Sequence, residues 1–95
     1  MTRPRRLRDS AILLDARDNV ATALVEMHAG EYVLDARDGE RTVTLPADIP
    51  AGFKLAVAPI GSGQEVRKYG CPIGLATADI RVGECVHVHN IRSLV

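Results

Sequence analysis

Ala47-Asp48-Ile49-Pro50-Ala51-Gly52, "ADIPAG", returns further along the chain as Ala78-Asp79-Ile80-Arg81-Val82-Gly83, "ADIRVG", identical at four of six positions. Each copy belongs to a longer phrase: an apolar residue, two variable positions, Gly, two more positions, then an aliphatic residue. The phrase occurs four times, anchored by Met27, Ile49, Ile60 and Ile80 with Gly30, Gly52, Gly63 and Gly83, and closes on Val33, Leu55, Val66 and Val86. Its physical meaning is direct. The apolar anchor sinks a turn into the core, Gly supplies the positive φ the turn needs, and the residues that follow begin a strand. The spacing between copies is too short and uneven for a solenoid, so the phrase predicts a compact β fold built of many turns.

The strands expected on this frame are residues 11–14, 32–36, 41–45, 54–58, 65–69, 73–76 and 85–89. Asp38-Gly39 favours a hairpin between the second and third of these. The five prolines fall in turns or at strand ends, where no ladder hydrogen bond is lost. One segment departs from the pattern. Val20, Ala21, Ala23, Leu24 and Met27 fall on a helical stripe, with Asp18 or Asn19 as N-cap, His28 suited to the negative end of the dipole and Gly30 as terminator. The expected fold is therefore mainly β with one short α-helix.

Ninety-five residues make one small domain, here residues 11–95, preceded by a basic tail over residues 1–10. Hydrophobic residues are 46% but aromatics only 3%, with no Trp, so the core must be aliphatic. Basic and acidic residues balance at 12 each, yet Arg3, Arg5, Arg6 and Arg8 crowd the head. Setting the head aside, with its one acid Asp9, leaves 8 basic against 11 acidic residues, the wrong balance for a nucleic-acid binder. The head reads as a frayed terminus. It lacks the apolar run of a secretory signal, and no stretch approaches the ~18 apolar residues of a membrane span, which points to a cytoplasmic protein. Cys71 and Cys85 lack metal-pair or redox spacing and are expected as reduced thiols.

The chemistry concentrates near the end, in Glu84-Cys85-Val86-His87-Val88-His89-Asn90, "ECVHVHN". On a strand, Val86 and Val88 would face inward while Cys85, His87 and His89 line the other side, bringing two imidazoles toward one ligand. His-x-His is half of a divalent metal site and needs further donors or a partner chain to be complete. The alternative is two half-exposed strand histidines bonded to their neighbours. Asn90 either orients a substrate or closes the strand. The stretch "RKYGCPIG", residues 67–74, sets Arg67, Lys68 and the Tyr69 hydroxyl beside a Gly- and Pro-fixed turn, suited to clamping a carboxylate or simply to ending a solvated strand. Phosphate loops, nucleophile elbows and dinucleotide fingerprints are absent from the sequence.

Taken together, "DNVATAL" (18–24), "DIPAGFKLA" (48–56), "VRKYGCPIGLATADI" (66–80) and "GECVHVHNIRS" (83–93) resemble, in order, the small SAF-type domain or subunit of the altronate and galactarate dehydratase family, to which the small subunits of sulfolactate sulfo-lyases are related. The resemblance covers about residues 11–93 and implies a β-clip fold. It also implies a metal-assisted elimination of water or sulfite from a sugar acid or related hydroxy acid, in which a base takes the proton beside the carboxylate. The implied cofactor is a divalent ion, Fe2+, Mn2+ or Mg2+, held mainly by a large catalytic subunit that would partner this chain. His87 and His89 are the implied metal or catalytic contacts, and Asn90, Lys68, Tyr69 and Arg67 the substrate contacts. The family phrase "AGHK" is matched here by Ala51-Gly52-Phe53-Lys54, so Phe53 stands where the pattern has His. So small a chain cannot enclose a sugar-acid pocket alone, which calls for a large subunit or a second copy, with no role for nucleic acid or membrane. The alternative function is a non-catalytic module binding carbohydrate or protein.

Overall fold

The structure is a computed structural model that describes residues 5–36 and 39–94. It is mainly β, as expected, with strands β1 (Ala11–Ile12), β2 (Val20–Ala23), β3 (Gly30–Ala36), β4 (Gly39–Leu45), β5 (Lys54–Ala56), β6 (Glu65–Lys68), β7 (Cys71–Ala76), β8 (Cys85–Val86) and β9 (Ile91–Ser93). These form a four-stranded sheet in the order β1-β2-β5-β8, the hairpin β3-β4, and a three-stranded sheet β6-β7-β9, with every ladder antiparallel.

The repeated phrase explains how these pieces join. Its four apolar anchors pair two by two. Met27 and Ile49 exchange both backbone hydrogen bonds at 2.8 Å, and Ile60 and Ile80 do the same at 3.0 and 2.8 Å. All four side chains are buried. The two "ADI" copies also do the same job with their acid: Asp48 Oδ1 accepts the Ala29 N–H, and Asp79 Oδ1 accepts the Ser62 N–H, each two residues past the partner anchor. Three of the glycines donate to an alanine that ends a strand, Gly52 to Ala23, Gly83 to Ala56 and Gly63 to Ala76. Each of those alanines donates back to the residue after the glycine. A small residue is needed at each strand end because a turn lies directly across it.

The short helix expected over residues 20–27 is not formed. Val20 to Ala23 are strand β2, Leu24 and Val25 are exposed, and the only helical element among the described residues is a single 3-10 turn at Leu7–Asp9. The reason is two-sided burial. β2 lies in the interior of the four-stranded sheet, so Val20 enters one core with Ala56, Ile60, Val66, Ala76, Ile80 and Val86, while Ala21 and Ala23 enter another with Met27, Tyr32, Val43, Leu45, Ile49 and Leu55. A strand buried on both faces loses its alternation and mimics a helical stripe. His28 accordingly caps no helix. Its ring is exposed, 3.7 Å from Asp48, and its carbonyl accepts the hydroxyl of buried Tyr32.

Residues 1–4 lie outside those described, but from Arg5 onward the basic head departs from a frayed tail. Leu7 is 2% exposed in the first core, Val33 N–H donates to Arg5 O, and the Arg5 guanidinium lies 4.2 Å from the Tyr32 ring centre. Arg6 pairs with Asp35 and Glu40, and Arg8 with Asp35.

Candidate functional site

The residues singled out for chemistry fall at the two ends of β7, and each end is shaped by local hydrogen bonding. At the Ala76 end, the expected strand through residue 89 stops at Val86. His87 is a bend and Val88 to Asn90 form a turn. Asn90 causes this. Its Oδ1 accepts the His87 N–H at 2.9 Å, its Nδ2 donates to Cys85 O at 2.9 Å, and its own N–H donates to His87 O. With the backbone turned away from extended form, alternation fails: Val88 is 79% exposed instead of buried. Asn90 thus closes the strand, one of its two expected roles.

In this turn His87 is half-buried and His89 exposed. The His87 ring packs on Phe53, with centroids 4.5 Å apart and planes tilted by 37°. The β5–β8 register brings them together, since Leu55 faces Cys85 and Lys54 faces Val86. Cys85 is a half-buried free thiol whose pKa is pushed up by burial, opposed by the charge of Lys54. Among the described residues no three His, Cys, Asp or Glu side chains gather at one point. A metal at His87 and His89 would therefore need its remaining donors from elsewhere.

At the Cys71 end, Lys68 pairs with Cys71 across a two-residue loop, Tyr69-Gly70. Both loop residues have positive φ, +58° and +71°, as a type I′ hairpin turn requires. Tyr69 is 65% exposed, with the Lys68 ammonium 5.4 Å from its ring centre. Asp18, expected to cap a helix, caps this loop instead: it accepts the Tyr69 N–H at 3.0 Å and the Gly70 N–H at 2.7 Å. Arg67 pairs with Glu65 at 3.1 Å. Arg17, which drew no notice in the sequence, binds Asp15 and lies against Gly70. Its hydrogen bonds hold the Asp15 carboxyl down at about 2. Arg17 and Arg67 flank an open polar groove of about 470 Å³ that also includes Asn19, Gln64 and Glu65. Cys71 is free and exposed.

Five residue steps along β7, about 16 Å, separate the two ends. The expected site residues are therefore two groups, His87-His89-Asn90 with Phe53, and Arg67-Lys68-Tyr69 with Asp18. Phe53 and Asp18 meet these groups only through contacts distant in the chain. In the sequence Phe53 stood out only by the family phrase around it, and Asp18 as a candidate helix cap at the head of "DNVATAL".

No helix among the described residues is long and apolar enough to cross a membrane. The sequence profile of the altronate/galactarate dehydratase SAF domain matches residues 9–94. Altronate dehydratase of Escherichia coli K12 is 46% identical over 83 residues, which cover 86% of this chain and 16% of that enzyme. Altronate dehydratase of Bacillus subtilis is 36% identical over 84 residues, again 16% of its length. The (2R)-sulfolactate sulfo-lyase subunit alpha of Chromohalobacter salexigens is 36% identical over 86 residues and is covered to 92% of its length. The chain thus spans about a sixth of the dehydratases and nearly all of a separate lyase subunit, and it belongs to the family of altronate/galactarate dehydratase SAF domains.

Proposed function

We propose that this chain is the small SAF component of a lyase that eliminates water, or another leaving group, from a sugar acid or related hydroxy acid, and that it works with a large catalytic subunit. The observation that carries this reading is the match to nearly the whole of a separate lyase subunit, together with 46% identity to the corresponding sixth of a dehydratase. The chain offers the chemistry of an accessory, because neither end of β7 encloses a pocket for such an acid.

In this reading the His87–Asn90 turn faces the active site. Asn90 fixes the backbone of His87, and Phe53 holds its ring from one side, so the imidazole is presented in one orientation. His87 and His89 contact the substrate or a divalent ion, with the remaining ligands from the large subunit. An ion so placed would polarise the acid's carboxylate and leaving group. The test is turnover of altronate, galactarate and (2R)-sulfolactate by this chain with its large subunit, with and without Fe2+, Mn2+ or Mg2+. We expect activity in the pair, none in the chain alone, and a loss of at least 100-fold in His87→Ala, the scale of a removed proton-transfer group. Unchanged turnover in both His87→Ala and His89→Ala would remove the proposed site. The Phe53–His87 stack favours one second reading, a non-catalytic module in which that ring face is closed to ligands; absence of turnover with every metal supports it.

A further inference from the structure

Seven large hydrophobic side chains are exposed among the described residues, and they are not scattered evenly. Three of them, Ile12, Leu13 and Leu24, line one groove, and Val25 follows the third. The groove has a volume of about 350 Å³. Leu7 and Leu34 also line it, and its charged residues are Arg8 and Asp35, which pair with each other at 3.0 Å. An apolar patch rimmed by charge marks an interaction site.

The same patch carries an open sheet edge, because β1 is the outer strand of the four-stranded sheet. Ser10 O accepts the Leu24 N–H, and Ile12 is in register with Thr22, so the N–H and C=O of Ala11 between them turn away from β2. Ala23, opposite Ala11, agrees with this: its own N–H and C=O bond on its other side, to Phe53 O and the Gly52 N–H. By alternation Leu13 turns its peptide groups the same way as Ala11. Among the described residues nothing takes them up. Natural sheets protect such an edge with a lysine, a proline, an inward charge or a bulge. β1 has none of these, since residues 11–14 read Ala-Ile-Leu-Leu and the ladder to β2 is unshifted.

We infer that this edge is covered by the same edge of a second copy of the chain, β1 against β1 about a two-fold axis. An antiparallel partner must present outward peptide groups two residues apart, which is what β1 itself presents. Ala11 of each copy exchanges both bonds with Leu13 of the other, so every outward group of the two strands is taken up. The side chains fit in the same way, because the patch holds both the groove and, at Leu24-Val25, the exposed apolar bulk to fill it. The charges on the groove are one of each sign, so the two-fold sets Arg8 of one copy toward Asp35 of the other and gathers no net charge at the seam. The opposite edge of the sheet is β8, which leads into the His87 turn, three strand spacings or about 14 Å away. Pairing through β1 therefore doubles the four-stranded sheet to eight strands and leaves a His87 turn at each outer end, open to a large subunit. The dimer itself does not depend on the lyase reading.

The test is sedimentation equilibrium of the full chain at micromolar concentrations. We expect twice the 10.2 kDa of one chain, with a Tm that rises with protein concentration. Leu13→Lys and Leu24→Lys, both at exposed positions, weaken dimerisation at least tenfold while circular dichroism stays that of the wild type. In the inferred register Ile12 faces its own copy across the axis as a closely spaced pair, with Cα atoms about 4.5 Å apart and within disulfide reach. Ile12→Cys in a Cys71→Ser background thus cross-links on oxidation with diamide, whereas Val88→Cys, exposed beyond the opposite edge, does not. A monomeric wild type, a dimer that survives both lysine variants, or an Ile12→Cys chain that does not cross-link each overturn the pairing. A chain that is monomeric alone but loses assembly with a large subunit in the lysine variants would assign the patch to that subunit and also overturn it. Turnover plays no part in these readouts, so their failure leaves the lyase reading to its own assay.

Discussion

Gly83 is confined twice over. Its φ is +91°, and a Cβ at that position would come within 2.0 Å of the Thr44 carbonyl oxygen, because the last turn of the repeated phrase lies directly against the end of β4. Gly52, at the equivalent point of the other "ADI" copy, has φ +87° and open space where a Cβ would go. The pair separates backbone strain from steric clash. We expect Gly52→Ala to lower stability by about 1–2 kcal/mol, the left-handed penalty alone. Gly83→Ala should lower it by more, about 4 kcal/mol or enough to prevent folding, since backbone must move to admit the methyl. Urea unfolding of both variants checks this, and equal losses would refute the clash. Asn90 is likewise a residue whose work is local. Asn90→Ala removes the acceptor for His87 N–H and the donor to Cys85 O, so we expect a loss of about 1–3 kcal/mol in the same assay.

The paired "ADI" turns act as elements, and the acid of the first, Asp48, makes that turn sensitive to pH. Asp48 is held below its usual carboxylate range, first by the Ala29 N–H and then by His28, and Asp15 is held at about 2 by Arg17. A carboxyl with a depressed folded pKa stabilises the fold above its unfolded pKa, near 4, and loses that contribution as pH falls through the folded value. Thermal melts should therefore show Tm falling between pH 4 and 2, and Asp48→Asn should flatten part of that fall; an unchanged profile would show that Asp48 contributes nothing there. These turns were legible in the sequence because an apolar anchor and a glycine at fixed spacing have one physical use. Their partners were not, since nothing local says that Met27 meets Ile49 or Ile60 meets Ile80. The same limit hid the roles of Asp18 and Phe53, each defined by a contact across the fold. β2 and the His87 turn were misread for opposite reasons. Burial on both faces erased the alternation in β2, while at Val86-His87-Val88 alternation was present in sequence but Asn90 ended the strand before it could operate.

At the scale of the whole molecule, one sheet serves two cores. The four-stranded sheet gives Val20, Ala56 and Val86 to one side and Ala21, Ala23 and Leu55 to the other, so neither core closes without it. The first core is completed by the head of the chain. Leu7 fills it, Arg5 covers the Tyr32 ring, and Arg6 forms an isolated bridge to Val33 on β3. This arrangement fixes what truncation does. Removing residues 1–8 deletes a fully buried leucine and bares the side of β3, a change on the scale of Leu7→Ala or larger, about 2–5 kcal/mol. In a domain of this size that lowers Tm by 10 °C or more, at roughly 4–8 °C per kcal/mol. The Arg6 and Arg8 ion pairs are exposed and contribute little of it, so Arg6→Ala with Arg8→Ala should reproduce only a small part of the loss. Because both cores share the sheet, the 9–95 chain should melt in a single transition, lower but still cooperative, by circular dichroism. Unaltered stability on removing residues 1–8 would mean that the head is not part of the core.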